Sequence, residues 1–165
     1  MPPPAQRVGV FVDAQNLYHS AKGIYDPEAV VDYRTLLDQA VAGRALVRAI
    51  VYVIDIEGVD QSGFFDVLRR LGFDIRCKPA RLFPDGSRKA DWDMGIAMDT
   101  IALADKLDTI ILASGDGDFV DLVRFLQARG VRVEVMAFRE TTATILRDAA
   151  DTFRAFDDSI IHMRR

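Results

Sequence analysis

Three short segments place carboxylates where they could work together: Asp13-Ala14-Gln15-Asn16, Asp91-Trp92-Asp93 and Ser114-Gly115-Asp116-Gly117-Asp118. The first and third each follow an apolar run too short for a helix, VGVFV at 8–12 and DTIILA at 108–113. The second opens a long helical stretch, and nothing basic interrupts any of the three. Carboxylates drawn into one small volume cannot all stay ionised without a counter-charge. A hard divalent cation supplies it, and Mg²⁺ characteristically takes a few carboxylates together with waters and phosphate oxygens. Carboxylates with Mg²⁺ or Mn²⁺ point to phosphodiester or phosphoryl chemistry.

Each of these residues also has a plainer use. Asp13 at a strand end suits a helix N-cap, and so does Asp91 before the long helix. Asp93 in the first turn favours the helix dipole. The Ser114–Asp118 segment reads equally as a capping turn, although a turn needs one carboxylate and here two flank a glycine. Asp99 lies six residues beyond Asp93, about 120° around an ideal helix and ~9 Å along it, so the two do not face one ion. Other chemistries lack their parts: GxxxxGK[ST], GxGxxG after the first strand, and GxSxG are all absent. One cysteine and two histidines exclude an ordinary four-ligand zinc site. Cys77 reads as a small core residue on the third strand, and His19 as a structural hydrogen-bonding group.

The elements that must position these groups are legible in the apolar pattern. At 165 residues, half hydrophobic and 28% charged, the chain is sized for one globular domain. Continuous apolar runs predict strands at 8–12, 45–54, 73–78, 108–113 and 131–137. Helical stripes predict helices at 31–42, 64–71, 91–106, 119–129 and 142–150, the 91–106 helix turning Met94, Ala97, Met98, Ile101 and Ala102 to one side. Residues 79–87 carry two prolines and an Asp-Gly signal, hence a loop or small hairpin. Residues 1–6 read as a disordered lead, 7–165 as one domain, and the tail from 153 adds a short edge strand. Strands alternating with helices, and apolar throughout, imply a parallel sheet covered on both faces. In such sheets ligands bind beyond the carboxyl ends of the strands, where strand order reverses. No run reaches the ~18 apolar residues of a membrane span, and the N-terminus lacks signal-peptide order. A soluble cytoplasmic protein is the expectation.

Net charge is −4, which excludes a generally basic nucleic-acid binder. The window 69–89 departs from that balance, with seven basic residues against two acidic ones. It leads straight into Asp91 and Asp93. Such a stretch suits a phosphate backbone, and Phe83 and Trp92 beside it suit stacking on bases. An ordinary solvated face is the simpler alternative for any single residue.

At these residues the chain resembles the NYN domain family, the LabA-like branch of the PIN-like nucleases. The matching pieces are VGVFVDAQNL (8–17), KADWDMGIAMD (89–99), ILASGDGDFVDLV (111–123) and GVRVEV (130–135). The resemblance implies a Rossmann-like, PIN-like three-layer αβα sandwich with a mainly parallel sheet of five or six strands. It implies an acidic pocket for Mg²⁺ or Mn²⁺ and ribonuclease activity. Single-stranded or loop RNA is the expected substrate, because an open pocket with aromatic neighbours suits splayed bases. Carried over by position, Asp13, Asp93, Asp116 and Asp99 match the acidic metal positions, with Asp118 close by. Asn16 matches the polar residue after the first aspartate. Ala14-Gln15 stands where the family more often has a glycine. The expected RNA contacts are Arg81, Arg88, Lys89, Trp92 and Ser114. A non-catalytic RNA-binding or regulatory module of the same fold is the alternative, and a small-molecule phosphatase a third. Pairing into a homodimer would lengthen the groove; no protein partner is inferable.

Overall fold

The computed structural model describes residues 5–163, so most of the expected N-terminal lead lies outside the described residues, as do the side chains of Arg88 and Lys89. Strands are β1 (Arg7–Asp13), β2 (Ala29–Val31), β3 (Ala45–Asp55), β4 (Asp74–Pro79), β5 (Arg81–Leu82), β6 (Arg88–Lys89), β7 (Thr109–Ala113), β8 (Arg132–Ala137), β9 (Thr152–Ala155) and β10 (Ile161–Met163). Helices are α1 (Ala14–Ile24), α2 (Tyr33–Val41), α3 (Ser62–Leu71), α4 (Asp93–Leu103), α5 (Val120–Ala128) and α6 (Thr144–Ala149).

Six strands form one parallel sheet in the order β4-β3-β1-β7-β8-β9. Counted along the chain within that sheet, the order is 3-2-1-4-5-6, the Rossmann arrangement. The central strands β1 and β7 are apolar between their ends because both faces are covered, and alternate residues divide between two cores. Val8, Val10, Val12, Val51, Ile111 and Ala113 pack under α1, α2 and α3. Phe11, Ile50, Tyr52, Ile110, Leu112 and Val135 pack under α4, α5 and α6. The helix–Gly–strand steps read from sequence are real turns: Gly72 (φ 100°) ends α3 and Gly130 (φ 88°) follows α5, both in the left-handed region that glycine adopts without strain.

Several elements differ from expectation. α1 is not among the predicted helices, although Leu17, Ser20 and Ala21 form its buried face. The tail contributes twice: β9 is the parallel edge strand beside β8, and β10 pairs antiparallel with β2. The loop or small hairpin expected at 79–87 is a hairpin that extends to Lys89, β5 pairing with β6. Cys77 is exposed rather than in the core, because β4 is an edge strand. α4 is rotated from the expected setting: Ile96 and Thr100 face the sheet while Met94 and Met98 are 73% and 64% exposed. Among the described residues, no helix is long and apolar enough to cross a membrane.

One buried charge holds the β8–β9 edge to α2. Glu134 accepts from Arg44 Nη1 at 2.8 Å and Nη2 at 3.0 Å, and from Arg154 Nη2 at 2.9 Å. Burial pushes the Glu134 carboxyl up, but Arg44 and Arg154 outweigh it and hold it below its ordinary value. A carboxylate depressed in this way contributes stability above its unfolded pKa and loses it as pH falls. Glu134→Ala, leaving two half-buried guanidiniums uncompensated, is expected to cost about 2–3 kcal/mol in urea unfolding at pH 7. The difference from wild type should shrink steadily below about pH 4.

Candidate metal centre

The site lies where strand order reverses, between β1 and β7. Val12 pairs with Ala113, so Asp13 and Ser114 leave the sheet side by side. Burial of both strands forces their first polar residues to appear together at this edge. Ser114, fully buried, donates its hydroxyl to Asp13 Oδ2 at 3.1 Å and accepts from the Asp116 N–H at 3.2 Å. The Asn16 N–H donates to Asp13 Oδ1 at 3.3 Å, so Asp13 does cap α1. Asn16 Oδ1 in turn accepts from the Gly115 N–H at 2.9 Å, tying α1 to the loop after β7. Asp116 Oδ1 accepts from the Asp118 N–H at 2.9 Å. The capping and site readings of Asp13 and Asp116 are therefore compatible: one oxygen orders backbone while the carboxylate stays in the cleft.

Asp93 arrives from a different element. Asp91 Oδ1 accepts the Asp93 N–H at 3.0 Å just ahead of α4, whose N-cap is Trp92 rather than the expected Asp91. Trp92 anchors this turn to the sheet, its Nε1 donating to the Val53 carbonyl at 2.9 Å and its ring packing on Tyr52 at 5.5 Å. A Cβ on Gly95 would meet the Trp92 ring at 2.5 Å, so only glycine allows the ring to lie there. Gly95→Ala should push Trp92 off its seat and displace Asp93. The overpacking cost of about 1–3 kcal/mol is offset in part by ~1 kcal/mol of helix propensity. A loss of cation-binding free energy larger than the loss of folding free energy is the expected signature.

Carboxylate oxygens of Asp93, Asp116 and Asp118 lie within 4.8 Å of one another. Around an octahedral Mg²⁺ ligand oxygens stand about 2.9–4.2 Å apart, a spacing this cluster admits, and its donors are of the right kind. Asp13 sits behind it, only 9% exposed. Burial raises the Asp13 carboxyl, opposed by the Asn16 and Ser114 hydrogen bonds and reinforced by Asp116 and Asp91. Asp93 is pushed up to about 7, by burial first and then by Asp116, Asp91, Asp13 and Asp118. Among the described residues, no lysine or arginine lines the cleft of about 380 Å³ formed by these groups with Gln15, Asn16, His19, Ser20 and Thr141. This is a site short of positive charge.

Three expected site residues sit differently. Asp99 does not join the cluster: its Oδ2 accepts from the Tyr52 hydroxyl at 2.8 Å and from Arg76 Nε at 3.3 Å, as the six-residue helical offset from Asp93 requires. Ser114 is too buried to touch a nucleic acid and instead orients Asp13. Trp92 is half-buried and engaged on Val53, Tyr52 and Gly95, with Lys78 Nζ 4.3 Å over its ring, rather than free for bases. Arg81 is exposed on the β5–β6 hairpin, 5.9 Å over Phe83. Thr141, donating to Ser20 Oγ at 2.8 Å, is a site residue that the sequence motifs miss, although it lies just past β8, at the same sheet edge.

The sequence profile of the NYN domain matches residues 7–157. The chain belongs to the NYN domain family. This NYN domain is 29% identical over 161 residues to the Low amplitude and bright protein LabA of Synechococcus elongatus, covering 92% of this chain and 84% of that protein. It superimposes on the crystal structure of a Vibrio parahaemolyticus protein of unknown function with a TM-score of 0.89. That pair shares 35% identity over 98% of this chain and 99% of the other. The PIN-like αβα fold and the family expected from the motifs are thus both found in this NYN domain.

Proposed function

We propose that this NYN domain is a metal-dependent endoribonuclease that hydrolyses internal phosphodiester bonds of single-stranded RNA. The observation that carries the reading is the meeting of Asp93, Asp116 and Asp118 at the switch point of the sheet, with Asp13 buried behind them. What Mg²⁺ or Mn²⁺ supplies when bound is Lewis-acid polarisation of a phosphoryl oxygen and activation of water at neutral pH. Asp93, Asp116 and Asp118 would hold it. Asp13, fixed by Ser114 and the Asn16 N–H, adds negative charge from behind and can orient an ion's water. Asn16 keeps α1 and the β7 loop in register through Gly115 and leaves its amide NH₂ available to a phosphate oxygen. Without a cation, burial and neighbouring carboxylates raise the Asp93 carboxyl to about 7, so it is only partly ionised near neutrality. Asp99 acts at one remove, bracing Tyr52 under Trp92. Arg81, with Arg88 and Lys89 on the same hairpin, would track the RNA backbone, and the open cleft suits a splayed strand.

End-labelled single-stranded RNA incubated with Mg²⁺, Mn²⁺ or EDTA tests the reading, with a phosphomonoester run in parallel. Internal cleavage confined to the metal arms is expected. RNA binding without cleavage would instead support the regulatory module. Hydrolysis of the monoester alone would assign the pocket to a smaller substrate.

A further inference from the structure

We infer that RNA leaving the acidic cleft is gripped by a second arm, the Arg139–Phe153–Arg147 cluster at the β8–β9 edge, which binds a phosphate and stacks on an adjoining base. The inference rests on the RNA-cleaving reading above. Arg139 lies in the turn after β8, two residues before Thr141, which lines the cleft. Arg147 lies on α6, whose start is fastened to the site: the Ala143 N–H donates to the Gly115 carbonyl at 3.0 Å, and a Cβ on Gly117 would meet Ala143 Cβ at 3.0 Å. From these two elements the guanidiniums converge on one ring, 5.4 Å and 5.8 Å from the Phe153 centroid. The cluster is therefore rigidly joined to Asp116 and lies on the opposite flank from the β5–β6 hairpin.

Charge sets these two arginines apart. On the same edge, Arg44, Arg132 and Arg154 each reach the Glu134 carboxylate. Among the described residues, Arg139 and Arg147 form no ion pair with a carboxylate, and Arg147 Nη2 donates to the Thr144 hydroxyl at 3.3 Å. Asp151 is engaged elsewhere, accepting from the Val133 N–H and from Gln127, and Glu140 is exposed. Asp148 is exposed one position along α6. Two guanidiniums fixed over an aromatic ring, neither neutralised by a carboxylate, offer forked donors to phosphate and planar surfaces to a base, and RNA recognition uses both. An acidic protein segment would satisfy the charge but would have no use for the planar stack or for the link to the cleft.

The test is anisotropy of fluorescent single-stranded RNAs of about 6 and about 20 nucleotides in EDTA, where cleavage is off, across a salt series. For the Arg139→Gln/Arg147→Gln double variant, thermal melting serves as the folding control. About tenfold weaker binding of the longer RNA is expected, with the short one unchanged and a salt slope shallower by about 0.7, for one single-strand phosphate contact. Arg139→Lys/Arg147→Lys should recover the slope but only part of the affinity, because ammonium groups keep the charge and lose the plane. Unchanged affinity and slope for the longer RNA would overturn the arm, as would equal losses at both lengths. A wild type that binds RNA in this pattern yet never cuts it would remove the nuclease reading and leave the arm standing.

Discussion

Asp116→Asn is expected to lower RNA cleavage by about a thousandfold or more, equivalent to about 4 kcal/mol of transition-state stabilisation, while the protein stays folded. The asparagine side-chain oxygen can still accept the Asp118 N–H, which Asp116 Oδ1 accepts at 2.9 Å, so the turn survives. What disappears is a charge that both Asp13 and Asp93 feel and that closes the cluster with Asp118. Initial rates on internally labelled RNA with Mn²⁺, alongside melting curves, make the comparison. A variant retaining cleavage within tenfold of wild type would place the chemistry elsewhere.

The second expected result concerns stability. With no cation bound, the Asp93 carboxyl is raised to about 7 from an ordinary 3.8, chiefly by burial and then by its acidic neighbours. The folded state therefore holds a proton that the unfolded state gives up. Stability from this source is complete below about pH 4 and drains away as pH rises towards 7. Metal-free protein should melt lower at pH 8 than at pH 5. Saturating Mn²⁺, at about 100 times its dissociation constant, should return about 2.7 kcal/mol at pH 8, or roughly 5–10 °C for a domain of this size. Asp93→Asn should flatten the metal-free profile and raise melting at pH 8 by about 2–4 °C, allowing for solvent screening of a half-exposed group. It should also abolish the Mn²⁺ response. An Asp93→Asn protein that Mn²⁺ still stabilises as strongly as wild type would remove Asp93 from the centre.

Much of this site is readable in the sequence because its position comes from burial. Strands covered on both faces must be apolar until they emerge, so Asp13 and Ser114–Asp118 stand out as the first polar residues past β1 and β7. Thr141 comes four residues past the end of β8, after Arg139 and Glu140, and does not stand out, because a lone threonine suggests no chemistry. Depth is not readable: nothing in the spelling of Ser114-Gly115-Asp116 says that the hydroxyl is buried under Asp13 while the next carboxylate is open. For Asp99, helix geometry and family position point different ways, and the hydrogen bonds to Tyr52 and Arg76 agree with the geometry. α1 is hidden by its polar start, since Gln15, Asn16, His19 and Ser20 serve the cleft and interrupt the apolar stripe that Leu17 and Ala21 maintain. The Met94–Met98 stripe of α4 misleads in the opposite sense, because Trp92 seated on Gly95 and Val53 sets the helix rotation. Glu134 with Arg44 and Arg154, and Phe153 with Arg139 and Arg147, are tertiary meetings with no local pattern to betray them.

Circular single-stranded RNA offers the most direct measurement, because it has no end for an exonuclease and no terminal phosphate for a phosphatase. With Mg²⁺ or Mn²⁺, wild type should open the circle to a full-length linear product and then to fragments. Neither EDTA-treated protein nor Asp116→Asn should do so. Circles that stay closed in the presence of a protein demonstrably loaded with Mn²⁺ would contradict the endoribonuclease account.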